Sequence, residues 1–259
     1  MRYGICTGLD QLELLDELGF DYLEASVTAV MQLSEEECDG YLEQLKGRRI
    51  TCEAFNILFP KTMELIGVNA DRQELTAYLH RAFGRIRKLS GIDRPVVVFG
   101  SGRCRRCPEG YDYRQAYREL TKVCRLTGEI AAEYGVLVVI EPLSRTETNM
   151  ICTMAEGAIL AADADHPNVS LLADYFHVIA NHDNIRDLVT IGSFGHIHIA
   201  AGHGRLYPLA EEGEQYREFI TALKTIGYHG RISIEGKSED IRSDAAKALA
   251  LLKKLEEEG

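Results

Sequence analysis

The sequence predicts an α/β protein, a single parallel eight-stranded (β/α)₈ barrel over residues 1–259. Three observations lead there. Strand-like and helix-like segments alternate eight times, and repeated βα units imply parallel strands joined by right-handed crossovers. Residues 136–140 (VLVVI) form a continuous apolar run rich in β-branched side chains, as in a strand buried on both faces. No change of composition and no linker rich in Gly, Pro and Ser divides the chain, and eight units suit a closed barrel of about 250 residues. An open doubly wound sheet is the competing architecture. It normally carries a glycine-rich phosphate turn after the first strand, and CTGLDQ matches that poorly.

The elements follow in order. Residues 1–7 (MRYGICT) read as the first strand, and residues 11–18 as a short helix stopped by Gly19. A second strand over 22–25 ends near Glu24. Ser34 and Glu37 form a capping box for a helix over 34–46. Residues 50–56 (ITCEAFN) are the third strand, and a longer connection leads to a helix over 71–88. Leu75, Tyr78, Leu79, Ala82, Phe83 and Ile86 fall on one face of that helix, and Gly91 ends it. Residues 95–99 (PVVVF) are the fourth strand, followed by a polar loop and a helix over 113–134. The fifth strand, 136–140, is broken by Glu141 and Pro142. A helix over 154–164 precedes the sixth strand, 169–173 (VSLLA), with Asp174 at its end. A short helix over 184–189, a seventh strand over 195–200 (GHIHIA) and a helix over 209–225 come next. The eighth strand is 230–235 (GRISIE), and Ser238 caps a final helix running to about Glu257.

Bulk chemistry narrows the function. The net charge of −11, from 40 acidic against 29 Lys and Arg residues, argues against a dedicated nucleic-acid binder. No apolar run approaches the ~20 residues of a membrane span, and no membrane association is expected. MRYGICTGLD lacks a basic region followed by an apolar one, so no signal peptide is expected. Seven scattered cysteines then fit reduced thiols and a cytoplasmic protein. Cys104 and Cys107 form a single CxxC, read as ordinary thiols, with a redox or metal pair as the alternative.

Catalytic groups of such barrels sit at the C-terminal ends of the strands. There the fifth strand supplies Glu141, the sixth Asp174, the seventh His196 and His198, and the eighth Glu235. Neighbouring strands lie only ~5 Å apart, so three carboxylates in this layer repel without a cation. Carboxylate oxygens with one imidazole suit one divalent ion: Mn²⁺ first, with Mg²⁺, Co²⁺ or Zn²⁺ as alternatives. His196 and His198 face the same side of their strand, and His198, nearer its C-terminal end, is assigned as the ligand. Three arginines, Arg103, Arg105 and Arg106, follow the fourth strand at the same face and are candidates for an anion on the substrate. Lys237 and Ser238, after the eighth strand, are a second candidate anion site. His182 and His203 are candidate extra metal ligands.

IEPLSRTETN, LLADYFHV, GHIHIAAGHGRLYP and RISIE, in that order, resemble the motifs of a known family. They are similar to the metal-dependent ketose 3-epimerases, such as D-tagatose and D-psicose 3-epimerases, and to hydroxypyruvate isomerases. Both lie within the xylose-isomerase-like TIM-barrel superfamily. The resemblance is closest in the C-terminal half, with weaker motifs in CEAFNILFP and VVVFGSGR. It implies one metal held by Glu141, Asp174, His198 and Glu235, with Glu141 and Glu235 also acting as the acid–base pair. It implies substrate contacts from Glu147, His177 and an arginine. Arg205 is the arginine available, one residue later than the family pattern places it, with Ala201 and His203 replacing an acid and an asparagine. His203 is the alternative contact.

A divalent ion that polarises a carbonyl and an adjacent hydroxyl acidifies the C–H between them. The expected activity is therefore a sugar isomerase or epimerase working through an ene-diolate on a small sugar substrate. An inosose-type dehydratase on the same site, and more distantly a metal-dependent abasic-site endonuclease, are the alternatives. The family's dimers and tetramers make a homo-oligomer an expectation as well.

Overall fold

The computed structural model describes residues 1–258. Eight parallel strands close into a barrel in sequence order. They are β1 (Arg2–Cys6), β2 (Tyr22–Ser26), β3 (Thr51–Asn56), β4 (Val96–Phe99), β5 (Leu137–Ile140), β6 (Val169–Asp174), β7 (His196–Ile199) and β8 (Arg231–Ile234). β8 pairs back onto β1, so the sheet has no free edge. The helices are α1 (Leu12–Leu18), α2 (Val27–Val30), α3 (Glu35–Leu45), α4 (Arg72–Ser90), α5 (Tyr113–Glu133), α6 (Met154–Ala164), α7 (Tyr175–Ala180), α8 (Asp187–Ile191), α9 (Tyr216–Thr225) and α10 (Ile241–Glu258). No helix among the described residues is long and apolar enough to cross a membrane.

Four local readings change. Residues 209–215 are not helical, because Gly213 takes a left-handed backbone (φ 79°) and α9 starts only at Tyr216. The short helix expected over 184–189 lies later, as α8, Asp187–Ile191. β6 runs straight into α7, capped by the Asp174 side chain accepting from the Phe176 N–H. YFHVIA is too short and too apolar to display a helical period. Ser238 does not cap α10: its hydroxyl donates to Asp244, while the Asp240 carboxylate accepts from the Ser243 N–H. The capping box of Ser34 and Glu37 on α3 forms with both reciprocal hydrogen bonds.

The core has two parts. A larger apolar cluster fills the space between strands and helices, and Tyr22, Ala54, Val96, Val98, Val139 and Leu172 fill the barrel itself. At the N-terminal end of the barrel, buried Glu53 is held by Arg2 and by Arg231 at 2.6 Å. Burial works to raise the Glu53 carboxyl, yet Thr51 and the two arginines bring it below the usual range. Pairing of β2 with β3 shifts here: Leu23 faces Cys52 but Glu24 faces Ala54, which leaves Glu53 over.

Gly4 makes room for Tyr22, since a Cβ there would lie 2.2 Å from the tyrosine ring. Gly4→Ala is therefore expected to destabilise the protein by about 1–3 kcal/mol through overpacking. A denaturation midpoint equal to wild type would show that the ring can shift.

Candidate metal centre and active site

Strand register assembles the site. Asp174 at the end of β6 stands directly beside His198 of β7. Glu141 and Glu235 follow the last residues of β5 and β8, anchored by backbone bonds to Phe99 and Ile199. One ligand atom from each of Glu141, Asp174, His198 and Glu235 lies within 4.8 Å of the others. Glu141, Asp174 and His198 are buried, and Glu235 is half-buried. Gly100 leaves space for the Glu141 carboxylate, which a Cβ there would approach to 2.2 Å.

The two faces of His198 have different partners. Nδ1 meets Glu141 at 3.3 Å and Glu235 at 3.1 Å. Nε2 meets Glu24 of β2 at 2.9 Å, and the other oxygen of Glu24 holds His196 Nε2 at 2.8 Å. Glu24 is the main residue that sequence reasoning passed over. Its signal was available: an acid inside a buried strand, on the same face as Tyr22, must have a partner. The network continues through Ser233, which lies 3.3 Å from His196 Nε2 and 2.7 Å from the Tyr22 hydroxyl.

The charges respond to this crowding. Burial raises Glu141, and nearby Glu235 adds to the effect. Asp174 is raised to about 6, by burial and by Glu235 against the pull of Arg205. Glu235 behaves oppositely: burial resists ionisation, but His198 and Arg205 hold it down at about 2. Burial would lower His198, but Glu24 and Glu235 outweigh it and push the imidazole well up.

The loops bring further groups over the cluster. Arg205 pairs with Asp174 at 3.1 Å, with Glu235, and more loosely with Glu147 at 3.7 Å. Its guanidinium sits 4.9 Å over the Phe176 ring. His177 Nδ1 accepts the Ser144 N–H at 3.0 Å, so its proton sits on Nε2. That Nε2 is buried, has no hydrogen-bond partner and lies 3.5 Å from Asp174. Burial keeps His177 below the usual imidazole range, although Glu141 pulls it up. Glu147 is exposed and accepts from the Ser144 hydroxyl. Asn56, at the end of β3 and not singled out from sequence, donates to Glu235 at 3.0 Å.

One expected contact is corrected, and the structure places the others. Arg105 is fully buried, and its guanidinium donates to the carbonyls of Glu141 (2.6 Å), Phe99 and Ile151. It is a clamp on the fifth loop and cannot meet a substrate anion. Lys237 acts through its backbone, which exchanges hydrogen bonds with Arg205 and Tyr207, and its side chain is exposed. Ser238 is engaged with Asp244, and Glu239 and Asp240 follow it in the chain. Arg103 lines the cavity of about 460 Å³ that contains Glu141, Glu147, Arg205 and Glu235. A second group of potential metal-binding side chains among the described residues is Cys6, Glu24 and His198, and the exposed His182 and His203 belong to neither group. Cys104 and Cys107 are free thiols outside both groups.

A divalent cation fits this donor set. In the structure the cluster's negative charge is balanced by the Arg205 guanidinium and by His198, so the site already demands positive charge. The unpartnered Nε2–H of His177 points beside Asp174 and calls for an oxygen acceptor there.

The chain belongs to the xylose isomerase-like TIM barrel family, whose model matches residues 12–255. Two curated relatives are sugar epimerases by name. The 3-dehydro-D-guloside 4-epimerase of Escherichia coli K12 is 28% identical over 138 residues, 50% of this chain and 50% of that protein. The D-psicose 3-epimerase of Ruminiclostridium cellulolyticum is 34% identical over 119 residues, 43% of this chain and 38% of that protein. The matched stretches thus span half or less of the length of these two relatives. A crystal structure of D-psicose 3-epimerase obtained with D-fructose has the same fold, with a TM-score of 0.86, 22% identity and 99% of both chains covered.

Mn²⁺ is expected to raise the melting temperature of metal-free protein, by about 2.7 kcal/mol of stabilisation at a hundredfold excess over Kd. Asp174, held at about 6, keeps its proton below that pH and must release it to bind a metal, so the gain should shrink between pH 7.5 and 5. Scanning fluorimetry measures this. An unchanged gain in Asp174→Asn would remove Asp174 from the ligand set.

Proposed function

We propose that the protein is a divalent-metal-dependent sugar isomerase or epimerase acting on a ketose or a related sugar derivative. One observation carries this reading: Glu141 and Glu235, both members of the carboxylate–imidazole cluster, open onto one cavity with Glu147 and Arg205. The cavity's roughly 460 Å³ lies within the usual range for small-molecule sites. The names of the relatives favour the same class. Mn²⁺ is the ion we assign, with Mg²⁺, Co²⁺ and Zn²⁺ as alternatives, because oxygen donors outnumber nitrogen. When bound, the ion supplies Lewis-acid polarisation of a carbonyl and its neighbouring hydroxyl.

The chain's own residues do the rest. Glu147 and His177 orient the substrate, with the His177 Nε2–H donating to a substrate oxygen. Arg205 presents a guanidinium to oxygens that gain negative charge as the C–H proton leaves. Glu235 and Glu141 are the acid–base pair, one removing the proton and the other returning it. Return to the opposite face of the same carbon is epimerisation, and return to the neighbouring carbon is aldose–ketose isomerisation. Expulsion of a β-hydroxyl from the same ene-diolate is the dehydratase outcome. His182 and His203, both away from the cluster, count against a multi-metal nuclease.

Incubating the Mn²⁺-loaded protein with a panel of ketoses in ²H₂O should place deuterium on the carbon next to the carbonyl, read by NMR. Glu235→Gln should cut this exchange by about 10²–10⁴-fold while leaving the far-UV circular dichroism unchanged. Wild-type exchange in that variant removes Glu235 from the chemistry, and substrate loss with release of water marks the lyase.

A further inference from the structure

The wall of the active-site cavity farthest in charge from its acidic floor is basic. Lys61, after β3, and Arg103, after β4, line the same cavity as Glu141 and Glu235. A second cavity of about 480 Å³ shares Lys61, Arg103 and Cys104 and adds Arg106. Glu64 is the acidic residue in its lining. Lys61, Arg103 and Arg106 are exposed, and none forms an ion pair among the described residues. Elsewhere on the surface Arg125 pairs with Asp165 at 3.3 Å and Arg217 with Glu211 at 2.8 Å, while Arg114 and Arg145 are exposed and form no ion pair among the described residues, so it is the shared cavity that sets Lys61, Arg103 and Arg106 apart. The sole hydrogen bond of an Arg106 side chain among the described residues is a long one, 3.5 Å, to the Glu147 carbonyl.

The two loops are held in register. The Phe59 N–H donates to the Ser101 hydroxyl at 3.1 Å, and the Leu65 N–H to the Cys104 carbonyl at 3.0 Å. The Cys104 thiol donates to the Pro60 carbonyl at 3.2 Å. Lys61 and Arg103 are therefore presented from pinned loops that follow neighbouring strands. Unpaired cations lining a cavity create a local positive potential, and a neutral sugar gains little from it. A phosphate or carboxylate gains charge-assisted hydrogen bonds from the same groups.

We propose that the loops after β3 and β4 form an anion subsite, in which Lys61 and Arg103, backed by Arg106, hold a phosphate or carboxylate on the sugar end remote from Glu141 and Glu235. The substrate class is thus an anionic ketose. This rests on the reading of the cavity floor as the sugar site.

The test titrates Mn²⁺-loaded protein at low salt with D-fructose, D-fructose 6-phosphate and D-fructuronate, by calorimetry and by deuterium exchange. One of the two anionic sugars is expected to bind at least tenfold more tightly than D-fructose, and which one does so identifies the anion. In a Lys61→Ala/Arg103→Ala double variant that ratio should fall to near one. Equal affinity for neutral and anionic sugars, or an advantage that survives the double variant, overturns the subsite, and the second result would assign the anion to the metal. Exchange of D-fructose without any anionic preference leaves the proposed function standing and removes only the subsite. Binding of none of the three removes both.

Discussion

Negative charge crowded into the mouth of a closed barrel is the constraint on which the rest of the site depends. Strands lie about 4.8 Å apart, so ligands on consecutive strand ends cannot avoid one another. Glu141, Asp174 and Glu235 share one small volume, and Glu24 lies beneath them against His198. Water cannot screen groups this deeply buried, and their repulsion must be met by bound positive charge. Arg205 and His198 supply it here, and a divalent ion would be a denser source of the same charge. Asp174 is pushed up by burial and by Glu235, whereas His198 and Arg205 hold Glu235 down, so the positive charge available favours Glu235 over its neighbour.

The loops are built to hold that balance. Arg105 anchors the loop after β5 by clamping the Glu141 carbonyl, which fixes where the carboxylate emerges. Asn181 holds the same loop from the other side, donating to the carbonyls of Leu143 and Cys152. The loop carrying Arg205 is stitched to the chain after β8, through bonds between Arg205 and Lys237 and between Tyr207 and Lys237. Glu214 secures its start by accepting from the Gly202 N–H and the Tyr175 hydroxyl. Arg205 itself takes a left-handed backbone (φ 54°), a conformation such stitching can sustain. Positioning of the site thus rests on backbone carbonyls and amides that sequence alone does not reveal.

The barrel was legible because its signal is repeated: each apolar run is closed by a turn and followed by a helical face. The clustering of four side chains was legible for a related reason, with Glu141, Asp174 and Glu235 each ending a run and His198 near the end of its strand. What escaped lay outside that repeat. Glu24 sits inside YLEAS, and its partners His196 and His198 lie more than 170 positions away. Arg105 shares a polar stretch with Arg103 and Arg106, and nothing local separates the buried arginine from the exposed two. Helix α7 was hidden by its apolar, short sequence, and α9 was read too long because PLAEEGE looks helical until Gly213.

Glu24 also explains which nitrogen of His198 faces the ligand cluster. A carboxylate held ionised accepts a proton donor, so Nε2 carries the hydrogen that points at Glu24. Nδ1 is then the lone pair directed at Glu141 and Glu235 once His198 gives up its second proton. Metal-binding imidazoles commonly have their second nitrogen fixed by a carboxylate in this way, which sets ring orientation and raises basicity. Glu24 is itself fixed twice, by His198 and by His196, and its strand begins with Tyr22 locked to Ser233. The polar network inside the barrel therefore has a purpose beyond satisfying buried groups. It transmits the rigidity of β2, β7 and β8 to the one nitrogen that an incoming cation would meet.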